Sequence, residues 1–263
     1  MGKLKLGILG NGYLADIIVE AGLKGMLDEY ELVGVLGRTR EKTELLAKKG
    51  GCRACSTIDE LLALAPDYVA EAASVQSVKD CGVKILASGA SMIVLSIGAF
   101  ADKEFYGQVK ETAAVHGTRV YIASGAVGGF DVLRTISLMG QAEAGIRTKK
   151  GPASLKGTPL FEERLMEDTQ ESHVFHGNAK EAISLLPTKV NVAVASSLAT
   201  VGPEDTRVDI YSVPGMVGDD HKITSQIEGV KAVVDIYSST SAIAGWSVVA
   251  VSYTHLRAHE TLS

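Results

Sequence analysis

Apolar runs and polar stretches take turns along the first 123 residues. The runs Lys5–Leu9, Leu32–Leu36, Tyr68–Ala72, Met92–Ser96 and Arg119–Ala123 are short and mostly apolar, which predicts strands covered on both faces. Helices are predicted between them over Tyr13–Lys24, Glu41–Lys49, Ser77–Ala87 and Lys103–Val115. Gly50-Gly51 stops the second of these, and Thr57-Ile58-Asp59-Glu60 is a capping box that opens a short helix to Leu64. Strands that alternate with helices pair in parallel through right-handed crossovers. The expected fold class is α/β, with a doubly wound parallel sheet over residues 1–123 and a ligand at the carboxyl ends of its strands.

The rhythm changes at Ser124. The glycine-rich turn Ser124–Asp131 leads into a helix from about Asp131 to Glu143. Beyond it the strands are longer and alternate apolar with polar, as in Thr206–Tyr211, His221–Glu228 and Val230–Tyr237. A second, α+β domain is therefore expected over residues 124–237, with residues 238–263 as a closing segment.

The first strand runs into Gly10-Asn11-Gly12-Tyr13-Leu14-Ala15, a Gly-x-Gly-x-x-Ala loop ahead of a helix. Gly10 permits a tight turn, Gly12 allows backbone to approach a pyrophosphate, and Ala15 permits close helix–strand packing. The helix start adds free N–H groups and the positive end of its dipole. This loop, with Tyr13 and Leu14 in its first turn, marks the sheet as a Rossmann-type dinucleotide site. An NAD reader usually ends its second strand on an acid that takes the ribose 2′-hydroxyl. Here that place reads Gly37-Arg38-Thr39-Arg40, with no acid. Arg38 and Thr39 suit a 2′-phosphate instead, so the cofactor is NADP or NAD, with NADP slightly favoured.

Composition narrows the class. Hydrophobic residues make up 46% of the 263, and the net charge is −5 with no basic run, which argues against nucleic acid or membrane as a partner. The uncharged stretch Ile85–Ala101 is short for a membrane span and is broken by Gly89 and Gly98, so it reads as a strand with flanking loops. Three cysteines, Cys52, Cys55 and Cys81, suit a reducing cytoplasm and read as incidental surface residues, because no further metal ligand lies near the Cys-x-x-Cys pair. His255 and His259 have a ligand-like spacing in the tail, but no metal is expected.

Several longer motifs are more specific than the glycine loop. They are Tyr68-Val69-Ala70-Glu71-Ala72-Ala73-Ser74, Met92–Ala99, Ser124–Asp131, Arg147–Pro152, Phe175–Ala182 with Pro187 and Asn191-Val192-Ala193, and Asp220-His221-Lys222-Ile223. Together they resemble the L-aspartate dehydrogenase family over roughly residues 3–247. The resemblance implies oxidation of L-aspartate to iminoaspartate, which hydrolyses to oxaloacetate and ammonia, and the reverse reductive amination. It implies an imine that feeds NAD biosynthesis and a homodimer or larger homo-oligomer. It places Ala72 and Ala73 by the cofactor, Ala126 and Asn191 at its nicotinamide end, and His221 as the catalytic acid/base. His176 stands where relatives are expected to carry Glu, and no role is carried over to it.

The residues bear on this chemistry directly. On an alternating strand, His221 shares an inward face with Ile223, Ser225 and Ile227. Asp219 and Asp220 are placed to favour its imidazolium form or orient the ring. Two substrate carboxylates need donors. The backbone of Ser124, Gly125 and the rest of that turn is one source, and Lys149, Lys150 and Lys189 are cationic candidates, although such lysines are ordinarily solvated. Ser124 and Asn191 are also placed to cap the helices that follow them. Gly151 stands where the family carries proline and is expected to loosen its loop. Residues 248–263 depart from the family and resemble translated adapter sequence joined to an incomplete frame. Two other readings stay open on the residues alone: a sugar- or semialdehyde-type NAD(P) oxidoreductase with two domains, and a non-catalytic cofactor sensor.

Overall fold

The computed structural model describes residues 2–187 and 190–257. It divides into two compact units, residues 1–125 with 242–263, and residues 126–241.

In the first unit the chain runs β1 (Leu4–Leu9), α1 (Tyr13–Leu23), β2 (Tyr30–Leu36), α2 (Arg40–Gly50), β3 (Arg53–Cys55), α3 (Ile58–Leu62), β4 (Tyr68–Glu71), α4 (Val75–Ala87), β5 (Ser91–Val94), α5 (Lys103–His116) and β6 (Val120–Ile122). The six strands are all parallel and lie in the order β3-β2-β1-β4-β5-β6. The order reverses between β1 and β4, where a doubly wound sheet opens a crevice for its ligand. Leu6, Ile8, Val35, Ala70 and Ile93 are fully buried, as expected for strands with helices on both faces.

Local signals set the helix ends. The Thr57 hydroxyl accepts from Glu60 N–H at 3.2 Å, while the Glu60 carboxylate reaches one residue further back, to Ser56 N–H at 2.8 Å. Gly51 and Gly117 end α2 and α5 in the left-handed conformation. The last helix, α9 (Ala242–Arg257), packs on α1, with Val248 and Val249 buried in the same core as Ile17 and Ile18. Helix α9 thus belongs to the first unit, while residues 238–241 belong to the second. No described helix is long and apolar enough to cross a membrane. Residues 85–101 contain the end of α4, β5 and a 3-10 turn over Ile97–Ala101.

The surface reading of the cysteines needs correction. Cys55 is buried in β3 beside Gly34, and Cys52 and Cys81 are half-buried. Burial pushes all three thiols up, Cys52 to about 11, which leaves them poor nucleophiles.

The second unit comprises α6 (Phe130–Met139), β7 (Glu143–Lys150), β8 (Ser172–Asn178), α7 (Ala179–Leu185), α8 (Asn191–Ala199), β9 (Arg207–Ser212), β10 (Asp219–Ile227) and β11 (Val230–Ser238). Its strands lie in the order β11-β10-β7-β9-β8, antiparallel except for β7 with β9. One face carries the core, where Ile146, Val208, Ile210 and Ile223 meet Leu133, Ala182 and Ala193 from the helices. Helix α6 ends four residues short of the expected Glu143, because residues from Glu143 onward pair into β7. The lysine-rich element is the end of this central strand. Gly151 follows it and does not loosen it: a Cβ there would run into the Met216 carbonyl oxygen.

Candidate active site

The dinucleotide loop occupies the switch point. Gly10 has φ +137°, and a Cβ on it would collide with the Ala72 carbonyl, so glycine alone lets β1 close against the end of β4. Gly12 is the N-cap of α1 and offers no side-chain cap, while a Cβ on it would meet nothing within 4 Å. The N–H groups of the first turn therefore face open space suited to an anion. Gly10, Asn11, Gly12, Arg38, Ala72 and Ala73 line one cavity of about 540 Å³. Tyr13 lines a neighbouring one with Asn11 and Gly12, and Leu14 and Thr39 line neither.

Asn11 and Arg38 are among the polar side chains that line this cavity. Asn11 Nδ2 donates to Thr39 O at 2.8 Å and to Thr43 Oγ1 at 2.9 Å, so the amide ties the loop to the start of α2 and leaves its backbone to the ligand. Gly37 makes room for it, since a Cβ there would overlap the Asn11 side chain. Arg40 is engaged by Glu44 at 2.6 Å and by Ser56. Among the described residues Arg38 has no ion-pair partner, and it lines the cavity.

Glu71, which sequence reasoning did not single out, holds the cavity floor. Its buried carboxylate accepts from Ala73 N–H at 2.8 Å, Leu95 N–H at 3.1 Å, Ser96 N–H at 2.8 Å and the Ser96 hydroxyl at 2.7 Å. Burial pushes its pKa up, and these four donors oppose that by favouring the ionised form. An acid as the last residue of an otherwise apolar strand was the available signal.

In the second unit, strand register assembles another cluster. Antiparallel pairing of β10 with β7 sets His221 opposite Thr148 and Asp219 opposite Lys150. Alternation turns all four to the side of Ile146 and Ile223. His221 is 3% exposed, and its Nδ1 lies 2.9 Å from Thr148 Oγ1. Lys150 is also 3% exposed, its Nζ 3.2 Å from Asp219 Oδ2, and that same oxygen is 4.0 Å from His221 Nε2. Lys150 is therefore a buried, paired cation, contrary to the solvated reading. Lys149, on the opposite side, pairs with Glu171 at 2.5 Å.

Asp219 favours the imidazolium, as expected, but burial outweighs it. Burial lowers the His221 pKa to about 4, Lys150 adds to the lowering, and Asp219 only partly opposes it. The ring is a neutral imidazole near neutral pH, a form able to accept a proton. Asp220 projects to the other side of the strand, toward Asp235.

The remaining candidates fall in different places. Ser124 does not cap α6, whose N-cap is Gly129. Gly125 N–H donates to Ser247 Oγ at 3.0 Å, so it is committed within the first unit. Asn191 does not cap α8 but is its first residue, after Val190. Ala126 opens the second unit. Lys189 and His259 lie outside the described residues, as does the His255 side chain.

The sheet order, the glycine loop and the cavity together define a dinucleotide-binding protein with a separate α+β unit. Residues 6–123 match the family model described as Homoserine dehydrogenase, NAD binding domain, and residues 131–254 match Aspartate dehydrogenase, C-terminal. The chain is 34% identical over 255 residues to L-aspartate dehydrogenase from Methanococcus maripaludis, covering 94% of each chain. It is 30% identical over 254 residues to L-aspartate dehydrogenase from Methanocaldococcus jannaschii, again covering 94% of each. The crystal structure of aspartate dehydrogenase from Thermotoga maritima superposes with a TM-score of 0.76 at 26% identity, over 99% of this chain and 98% of that one. The chain belongs to the L-aspartate dehydrogenase family.

Proposed function

We propose that this protein is an amino-acid dehydrogenase that oxidises L-aspartate to iminoaspartate with NAD(P), the imine then hydrolysing to oxaloacetate and ammonia, and that it runs the reverse amination. The single observation that carries the reading is the buried neutral imidazole of His221 on one sheet face with the buried ammonium of Lys150, in a chain alike to L-aspartate dehydrogenases over 94% of its length.

Each residue has a distinct part. The loop at Gly10, Asn11 and Gly12, with the first turn at Tyr13 and Leu14, binds the pyrophosphate through backbone N–H groups. Ala72 and Ala73, held by Glu71, form the floor beneath it. Arg38 takes a 2′-phosphate by charge-assisted hydrogen bonds, with Thr39 beside it, and this supports NADP over NAD. Ala126 and Asn191 are carried over from the resemblance to the nicotinamide end. When bound, the cofactor supplies the acceptor for a hydride from the substrate Cα.

His221 moves the proton. With Nδ1–H donated to Thr148 Oγ1, Nε2 keeps its lone pair and takes a proton from the substrate ammonium group or the attacking water. Lys150 neutralises a substrate carboxylate, and Asp219 keeps that ammonium oriented. Ser124, Gly125 and Lys189 were expected to share this carboxylate role; Gly125 N–H is less suited because Ser247 already holds it. A cytoplasmic homo-oligomer whose imine product enters NAD biosynthesis completes the reading. The test is reduction of NADP and NAD by the purified protein with L-aspartate. Turnover supports the assignment; soluble, cofactor-binding protein without turnover refutes it.

A further inference from the structure

We propose that His173, His176 and Asp209 form a binding site for a divalent transition-metal ion on the second unit's sheet, separate from the His221 cluster. Residues three apart on a regular strand point to opposite faces, so the two histidines are not expected to meet. In β8 they do, because the pairing with β9 carries an irregularity. His173 faces Tyr211, while Phe175 already faces Ile210 and His176 faces Asp209, leaving Val174 as an extra residue. Such a bulge changes the phase of the strand and re-aims its side chains. Val174 and Phe175 both pack against the core, and the histidines on either side of them both turn to the exposed face.

There they converge on one oxygen. His173 Nε2 lies 3.0 Å and His176 Nδ1 lies 2.8 Å from Asp209 Oδ1, and the three atoms all lie within 4.8 Å of one another. Tetrahedral ligands bound at about 2.1 Å sit about 3.4 Å apart, close to the 3.0 and 2.8 Å that separate the two imidazole nitrogens from Oδ1. His173 is steadied by stacking on Tyr211, with ring centroids 4.5 Å apart and planes at 13°. The other oxygen, Asp209 Oδ2, has Arg207 Nε at 3.7 Å, which leaves Oδ1 to the histidines. Two imidazoles and one carboxylate select zinc, nickel or copper over magnesium or calcium, with water completing the shell.

The test is calorimetric titration of EDTA-treated full-length protein with Zn²⁺, with Mg²⁺ in parallel. The proposal expects one Zn²⁺ per chain, no Mg²⁺ binding, and at least a tenfold loss of Zn²⁺ affinity in each of His173→Ala, His176→Ala and Asp209→Asn. Zn²⁺ should also raise the thermal midpoint of the wild type and of a Cys52→Ser/Cys55→Ser variant, but not that of His176→Ala. Absence of Zn²⁺ binding overturns the site, as does binding that survives the histidine substitutions or disappears with the cysteines.

Discussion

Thr148 Oγ1 and His221 Nδ1 face each other at 2.9 Å across the β7–β10 ladder, both buried. In the proposed tautomer the hydroxyl accepts from Nδ1–H, which orients the ring and leaves Nε2 as the base. Thr148→Val keeps the volume and removes this partner. A turnover loss of about tenfold or more is expected, with dinucleotide affinity unchanged, measured by steady-state kinetics beside dinucleotide titration.

The His221 environment also makes stability depend on pH. The ring titrates at about 4 in the folded chain and near 6.5 when unfolded. Between those values the unfolded state binds more protons, so stability falls as the pH drops through this window and levels off below it. From pH 7 to pH 5 the loss from this group is about 1–2 kcal/mol. Urea unfolding of the wild type and His221→Gln at both pH values should show the smaller loss in the variant. Equal losses would remove His221 as the cause.

Lys150 should act on substrate and not on cofactor. Lys150→Met keeps the apolar stem and removes the charge, so KM for aspartate should rise by about tenfold or more while the dissociation constant for NADPH holds. Because Asp219 loses its partner, Asp219→Asn in the same background should restore folding stability, read from denaturation midpoints, without restoring KM.

Arg38 should set the choice of dinucleotide. Arg38→Ala is expected to weaken NADPH by about tenfold, the scale of one charge-assisted hydrogen bond, and to leave NADH nearly unchanged. Fluorescence titration with both dinucleotides checks this; equal weakening would place Arg38 on the shared part of the cofactor.

Glu71 should support the cavity through the backbone. Glu71→Ala leaves the N–H groups of Ala73, Leu95 and Ser96 without their acceptor, which costs about 3 kcal/mol or more. Denaturant midpoints and NADPH titration should both show the loss, with Glu71→Gln intermediate.

The sequence disclosed what local chemistry encodes and missed what register decides. Five of the six parallel strands were legible because buried runs, caps and glycine stops mark them within a few residues; β3, three residues long and opening on an exposed arginine, was not. β7 was not, because Glu143–Lys150 carries charged side chains that read as a surface loop. Lys150 becomes buried only once β10 sets Asp219 opposite it. The same limit hid the convergence of His173 and His176, which depends on one irregular step against β9. The Gly125 N–H partner was hidden for a different reason: Ser247 is 122 residues away.

The central claim is that His221 carries the proton in aspartate oxidation. Initial rates of nicotinamide reduction with L-aspartate, compared between the wild type and His221→Ala, test it most directly. The account predicts a fall of about 10² or more in turnover with NADPH binding intact. Turnover close to that of the wild type in the variant would contradict it.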